Sequence, residues 1–85
     1  MPYIKSKDRQ RFDFYLDALN AQIISPGEFN YCVSRLAWDM VKRLGGNYAA
    51  HNTVIGALEC AKLELYRRLT GPYENDAITK NGDIL

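Results

Sequence analysis

The residues of this chain best placed to do chemistry cluster near the end of one predicted helix: Glu59, Lys62, Tyr66, Arg67 and Arg68, within the stretch IGALECAKLELYRR. Wound at about 100° per residue, that stretch gathers Val54, Ile55, Leu58, Ala61, Leu65 and Leu69 on one face and sets Lys62 among them. A buried, unpaired ammonium costs several kcal/mol, so Lys62 must be paired, deprotonated, extended to water, or met by an anionic ligand or a second subunit. Glu59, three residues away, is the nearest partner. Arg67 and Arg68 have two readings. They stabilise the helix C-terminus and pair with Glu64, or their planar donor forks grip phosphate or carboxylate beside the Tyr66 ring. The second reading makes Lys62, Tyr66, Arg67 and Arg68 a pocket for a small anionic ligand such as a nucleotide.

A second constellation lies on the preceding helix, where Tyr31 and Trp38 stand one heptad apart, interleaved with Ser34, Arg35 and Lys42. They fall opposite the apolar stripe Phe29, Val33, Leu36, Met40. Exposed tyrosine, arginine and tryptophan are the residue types that anchor protein interfaces. Bases also stack on such rings, and the terminal arms offer a third covering for the patch. Tyr31, Arg35 and Trp38 are therefore the expected binding residues, for a second copy of the chain or for another protein.

Catalysis has little to draw on. The one histidine, His51, falls on the apolar side of its helix, where packing or capping is the expected role. There is no HExxH motif, glycine-rich phosphate loop, nucleophile elbow or paired carboxylate arrangement. No metal or cofactor is expected, and an acid or base role for Lys62 or Glu59 is the one catalytic reading left.

The elements that must carry these residues are helical. Phe12, Leu16, Leu19 and Ile23 recur at helical spacing, predicting a first helix over about 13–24 with Ser6 or Asp13 as cap. SPGE at Ser25 to Glu28 combines a serine cap, a proline at the first helical position and a glutamate three residues on, a capping box that opens a second helix over 26–44. Its inward stripe is Phe29, Val33, Leu36, Met40 and Leu44, and Gly45-Gly46 ends it. Asn47 caps a third helix over 48–70, which Gly71-Pro72 is expected to stop. The tail 72–85 is left with a short turn or helix and a turn at Asn81-Gly82, while Met1 to Lys5 form an extended arm. The fold class is all-α: one compact three-helix domain with an extended N-terminal arm. Gly56 inside the third helix implies a close helix contact that offsets its cost of about 1 kcal/mol.

At 85 residues the chain sits near the lower limit for a self-sufficient core, so a homo-oligomer is expected. Its formal net charge is +1, which argues against extended nucleic acid or a membrane surface as partner. Cys32 and Cys60 have none of the spacings of a zinc site or redox pair and read as buried thiols. MPYIKSKDRQ lacks the apolar run of a secretory signal, and no stretch is apolar enough to span a bilayer, so the cytoplasm is the expected location.

MPYI at Met1 to Ile4, PGEFNY at Pro26 to Tyr31 followed by Arg35-Leu36, IGALECAKLELYRR at Ile55 to Arg68, PYE at Pro72 to Glu74 and NGD at Asn81 to Asp83 together resemble a family of short uncharacterised proteins encoded by bacteria and their phages. The sequence differs from that pattern at Phe14, where a proline often opens the first helix, and at Leu85, where an aromatic residue is usual. The resemblance implies an accessory protein that acts by binding: inhibiting a host enzyme, blocking a defence factor, or sequestering a nucleotide signal. It implies no activity for individual residues.

Overall fold

Ser25 and Glu28 cap the start of the second helix, each side chain accepting a backbone N–H. The Glu28 amide donates to Ser25 Oγ at 3.1 Å, and the Ile24 amide donates to Glu28 Oε1 at 2.8 Å. Two otherwise orphaned N–H groups are thereby satisfied, and the extended backbone of Ser25 redirects the chain into α2, Pro26–Arg43. In this computed structural model, which describes residues 2–85, α1 spans Ser6–Gln22 and α3 spans Tyr48–Leu65. A π-helical turn, Tyr66–Thr70, follows α3 without a break and leads into α4, Gly71–Asn81. Asn47 caps α3 through its side chain, with the Ala50 amide donating to Oδ1 at 2.9 Å.

The link between α2 and α3 is built on two glycines. Gly45 and Gly46 have φ of 106° and 67°. The Gly46 amide donates to the Val41 carbonyl at 2.9 Å and the Gly45 amide to the Lys42 carbonyl at 3.1 Å, the paired bonds of a Schellman ending. The chain reverses within Leu44 to Asn47 and lays α3 back along α2. Val33, Ala37 and Val41, all half-buried, face α3, whose Ala50 and Val54 are the only buried apolar side chains among the described residues.

Several expectations change here. The first helix begins at Ser6, not near Asp13. The charged run before Phe12 contains no proline or glycine, Asp8 sits in the first turn, and Arg9 Nε donates to the Ile4 carbonyl at 2.9 Å. Phe14 therefore lies inside α1. Gly71-Pro72 is not a stop. Pro72 cannot donate to the carbonyl four residues back, and its ring crowds that position. The chain responds by widening one turn: the Gly71 amide donates to Tyr66 O, five residues back, and the helix continues. A Cβ on Gly71 would sit 3.2 Å from that carbonyl, a tight contact that glycine avoids. Residues 72–85 thus hold a true helix to Asn81, with Gly82 in the turn at φ 91° and Ile84 and Leu85 exposed.

The largest difference is shape. The radius of gyration is 16.5 Å, with extents of 49 × 31 × 29 Å, against about 12 Å for a compact chain of this length. Among the described residues, α1 makes no close backbone approach to another helix, so the α2–α3 hairpin lacks the third layer that would cover it. The stripe expected to face inward on α2 is consequently open: Phe29, Leu36, Met40 and Leu44 are exposed, as are Phe12, Leu16 and Leu19 on α1 and Ile55, Leu58, Leu65 and Leu69 farther along.

Candidate binding surface

Lys62 reaches water. Its ammonium lies 3.1 Å from Glu59 Oε1, and both side chains are more than half exposed. The apolar face of α3 is left uncovered, so the lysine stands on a surface rather than in a core, and the helix-local carboxylate is its partner. Such an exposed pair contributes little to stability.

The two arginines are spoken for as well. Arg67 pairs with Glu64 Oε1, the same oxygen that accepts from the Tyr3 hydroxyl at 2.7 Å, while Arg68 Nη1 donates to Tyr3 Oη at 3.3 Å. This cluster ties the N-terminal arm to the end of α3. Tyr66 turns away from it and donates its hydroxyl to Glu74 across the π turn, which raises the phenol above its ordinary range. Lys62, Tyr66, Arg67 and Arg68 therefore do not converge on one pocket; each is engaged with a different carboxylate or hydroxyl.

Glu64 is the one mostly covered member of the cluster, with 18% of its side chain exposed. The Tyr3 hydroxyl, and then the Arg67 guanidinium, hold its carboxyl below the ordinary value of 4.5. A depressed folded value means that this contribution is complete above about pH 4.5 and is lost as pH falls through Glu64's lower folded value. We expect an NMR titration to place the Glu64 midpoint below 4.5, and Tyr3→Phe to move it upward. A midpoint unmoved by Tyr3→Phe would show that the arm is not held by this bond.

On α2, Arg35 Nη1 donates to Tyr31 Oη at 3.0 Å and lies 3.9 Å from Asp39 Oδ2. The tyrosine, with the carboxylate behind it, holds the guanidinium above its ordinary range and orients it along the helix surface. Trp38 is 70% exposed and Tyr31 61%. The N-terminal arm lies elsewhere, where Pro2, Tyr3 and Ile4 line a hollow with Phe12 and Leu16 of α1. Trp38 instead forms one wall of an open groove of roughly 670 Å³ between α2 and α3, continued by Val41, His51, Val54, Ile55 and Leu58. On the other side of the same hairpin lies a second groove of roughly 310 Å³, lined almost wholly by apolar atoms, between Leu36, Met40 and Leu44 of α2 and Thr53, Ala57 and Ala61 of α3.

Sequence reasoning missed the Tyr3–Glu64 bond, which spans 61 positions and leaves no local signal. It also missed Asp39, although its position four residues after Arg35 is a readable helical pairing. Three further readings are corrected. His51 is exposed at the groove rather than packed, Cys60 is exposed while Cys32 is half-buried, and a Cβ on Gly56 would meet nothing within 4 Å. All three follow from the missing third layer. No helix among the described residues is long and apolar enough to cross a membrane.

No curated protein and no solved structure matches this chain. The sequence model of a domain of unknown function, DUF6899, matches residues 1–84, and the chain belongs to that family.

Proposed function

We propose that this protein works by binding other proteins, its own copies included, and not by catalysis, with Tyr31, Arg35 and Trp38 as the anchors for a partner. The observation that carries this reading is how little the chain buries. Its accessible surface is 7741 Å², against about 5,100 Å² for a compact monomer of 9.7 kDa. Exposed large apolar side chains in number, such as Phe29, Leu36, Trp38 and Ile55, are what protein interfaces are made of. The Tyr31–Arg35–Trp38 face adds the residue types that dominate binding energies, pre-positioned by a hydrogen bond and an ion pair. The engagement of Lys62, Arg67 and Arg68 with internal partners favours this reading over a pocket for an anionic ligand. In the bacterial or phage setting that the motif resemblance implies, the partner is a host or defence protein whose surface the chain occupies.

Sedimentation velocity from low to high micromolar concentration tests the self-association, with a particle of at least twice the chain mass expected and a monomer throughout contradicting it. Trp38→Ala tests the anchor. A side chain this exposed contributes little to folding, so the melting midpoint should move by no more than the equivalent of about 0.5 kcal/mol. A loss of about 2 kcal/mol or more would assign Trp38 to the core instead.

A further inference from the structure

We propose that the apolar face formed by Leu36, Met40 and Leu44 of α2 with Ala57 and Ala61 of α3 is where two copies of this chain meet, leaving the Trp38 groove on the opposite side of the hairpin free for a different partner. The inference rests on the self-association reading and deepens it by assigning the surface.

Three observations select this face and this occupant. First, it is almost wholly apolar, whereas the opposite groove carries Ser34, Lys42 and His51 on its walls. Charge is depleted at the centre of permanent interfaces, and a face whose one polar side chain is Thr53 leaves little to go unpaired when a copy covers it. Second, the face is self-complementary. Its α2 edge is a bulky row at four-residue spacing, Leu36, Met40 and Leu44, while its α3 edge is a row of small side chains at the same spacing, Thr53, Ala57 and Ala61. A twofold axis lying in the face and parallel to the helices carries α2 of one copy over α3 of the other, so each bulky row seats on a small row. An axis perpendicular to the helices would set bulky on bulky. Third, the chain has surface to give up: its 7741 Å² exceeds that of a compact monomer by about 2,600 Å² over the whole chain, more than the ~800 Å² per partner that a standard interface takes. Because the bulky and small rows occur once each per chain, the twofold contact closes on itself and stops at a dimer.

The test compares the wild-type chain, Ala57→Glu and Leu63→Asp by sedimentation, with circular dichroism reporting helix content. Ala57 is exposed in the single chain, and glutamate is a good helix former, so the hairpin tolerates the change. At the dimer centre the same carboxylate would be buried without a partner. We expect a wild-type dimer, at least ~100-fold weaker dimerisation of Ala57→Glu with helix content retained, and a dimer for Leu63→Asp, an exposed position outside both grooves. A dimer that survives Ala57→Glu overturns this assignment while leaving self-association standing; a monomeric wild type overturns both. Should Ala57→Glu lose its helices, isotope-filtered NMR on a mixture of labelled and unlabelled wild-type chains decides. Intermolecular contacts between the Met40 methyl group and the Ala57 or Ala61 methyl groups support the proposal, and their absence in an assembled sample overturns it.

Discussion

Val54→Asp is expected to dissolve the α2–α3 hairpin. Val54 is 7% exposed and, with Ala50 at 3%, makes up the buried apolar core of the described residues. An aspartate there is set among Val33, Ala37 and Leu58, the apolar side chains that line both grooves with it. Burying a charge without compensation costs about 3–5 kcal/mol, and a chain of this length has only about 5 kcal/mol or somewhat more to lose. The cooperative thermal transition followed by circular dichroism should therefore vanish or fall below room temperature. The contrast is Leu63→Asp on the same helix. Leu63 is 56% exposed, and its replacement should shift stability by no more than about 0.5 kcal/mol. Equal melting of the two variants would mean that the hairpin is not held where these side chains meet.

Gly45→Val combined with Gly46→Val should be nearly as damaging, for a reason that involves no side-chain packing. Both residues hold positive φ, at 106° and 67°, and a β-branched side chain is strongly disfavoured there. Forcing it costs about 1–2 kcal/mol per residue, and the alternative is to abandon the bonds from the Gly45 and Gly46 amides to Lys42 and Val41. Either way α3 no longer returns along α2. Two-dimensional NMR should show loss of contacts between Val33 and Leu58 while helicity within α2 persists. Gly27→Ala is the control, since its Cβ would meet only Ser25 Oγ at 4.0 Å and no positive φ is involved. It should be neutral within about 0.5 kcal/mol.

Both predictions show how unevenly this protein was legible before its structure. Where information is local, reading worked: the Ser25–Glu28 box, Asn47 as a cap and the Gly45-Gly46 ending each depend on hydrogen bonds among residues within five positions of one another. The Gly71-Pro72 step misled because a break and a widened turn begin from the same dipeptide. What decides between them is whether the carbonyl of Tyr66 can take the Gly71 amide. Of the readings open to Lys62, pairing with Glu59 and reaching water are the ones seen; it is an odd residue only where the surrounding leucines are inside, and in the single chain they are not.

For the binding surface, the types and spacing of Tyr31, Arg35 and Trp38 were readable because all three lie on one helix, whose period places them on one side. Their relation to Val41, His51 and Ile55 was not, since it depends on how α3 lies across α2.

By itself, the sequence determined that this chain is helical, where α2 and α3 begin and where α2 ends, and which faces are apolar. Those outcomes rest on backbone hydrogen bonds and periodicity within a turn or two. Only the tertiary structure decided that α1 stays off the hairpin, that Tyr3 is tied to Glu64 and Arg68, and that the apolar faces remain on the surface. The physical reason is that an apolar stripe states a demand for burial without naming the surface that meets it. The same pattern suits a neighbouring helix or a second copy of the chain, and the choice depends on contacts between residues far apart in sequence.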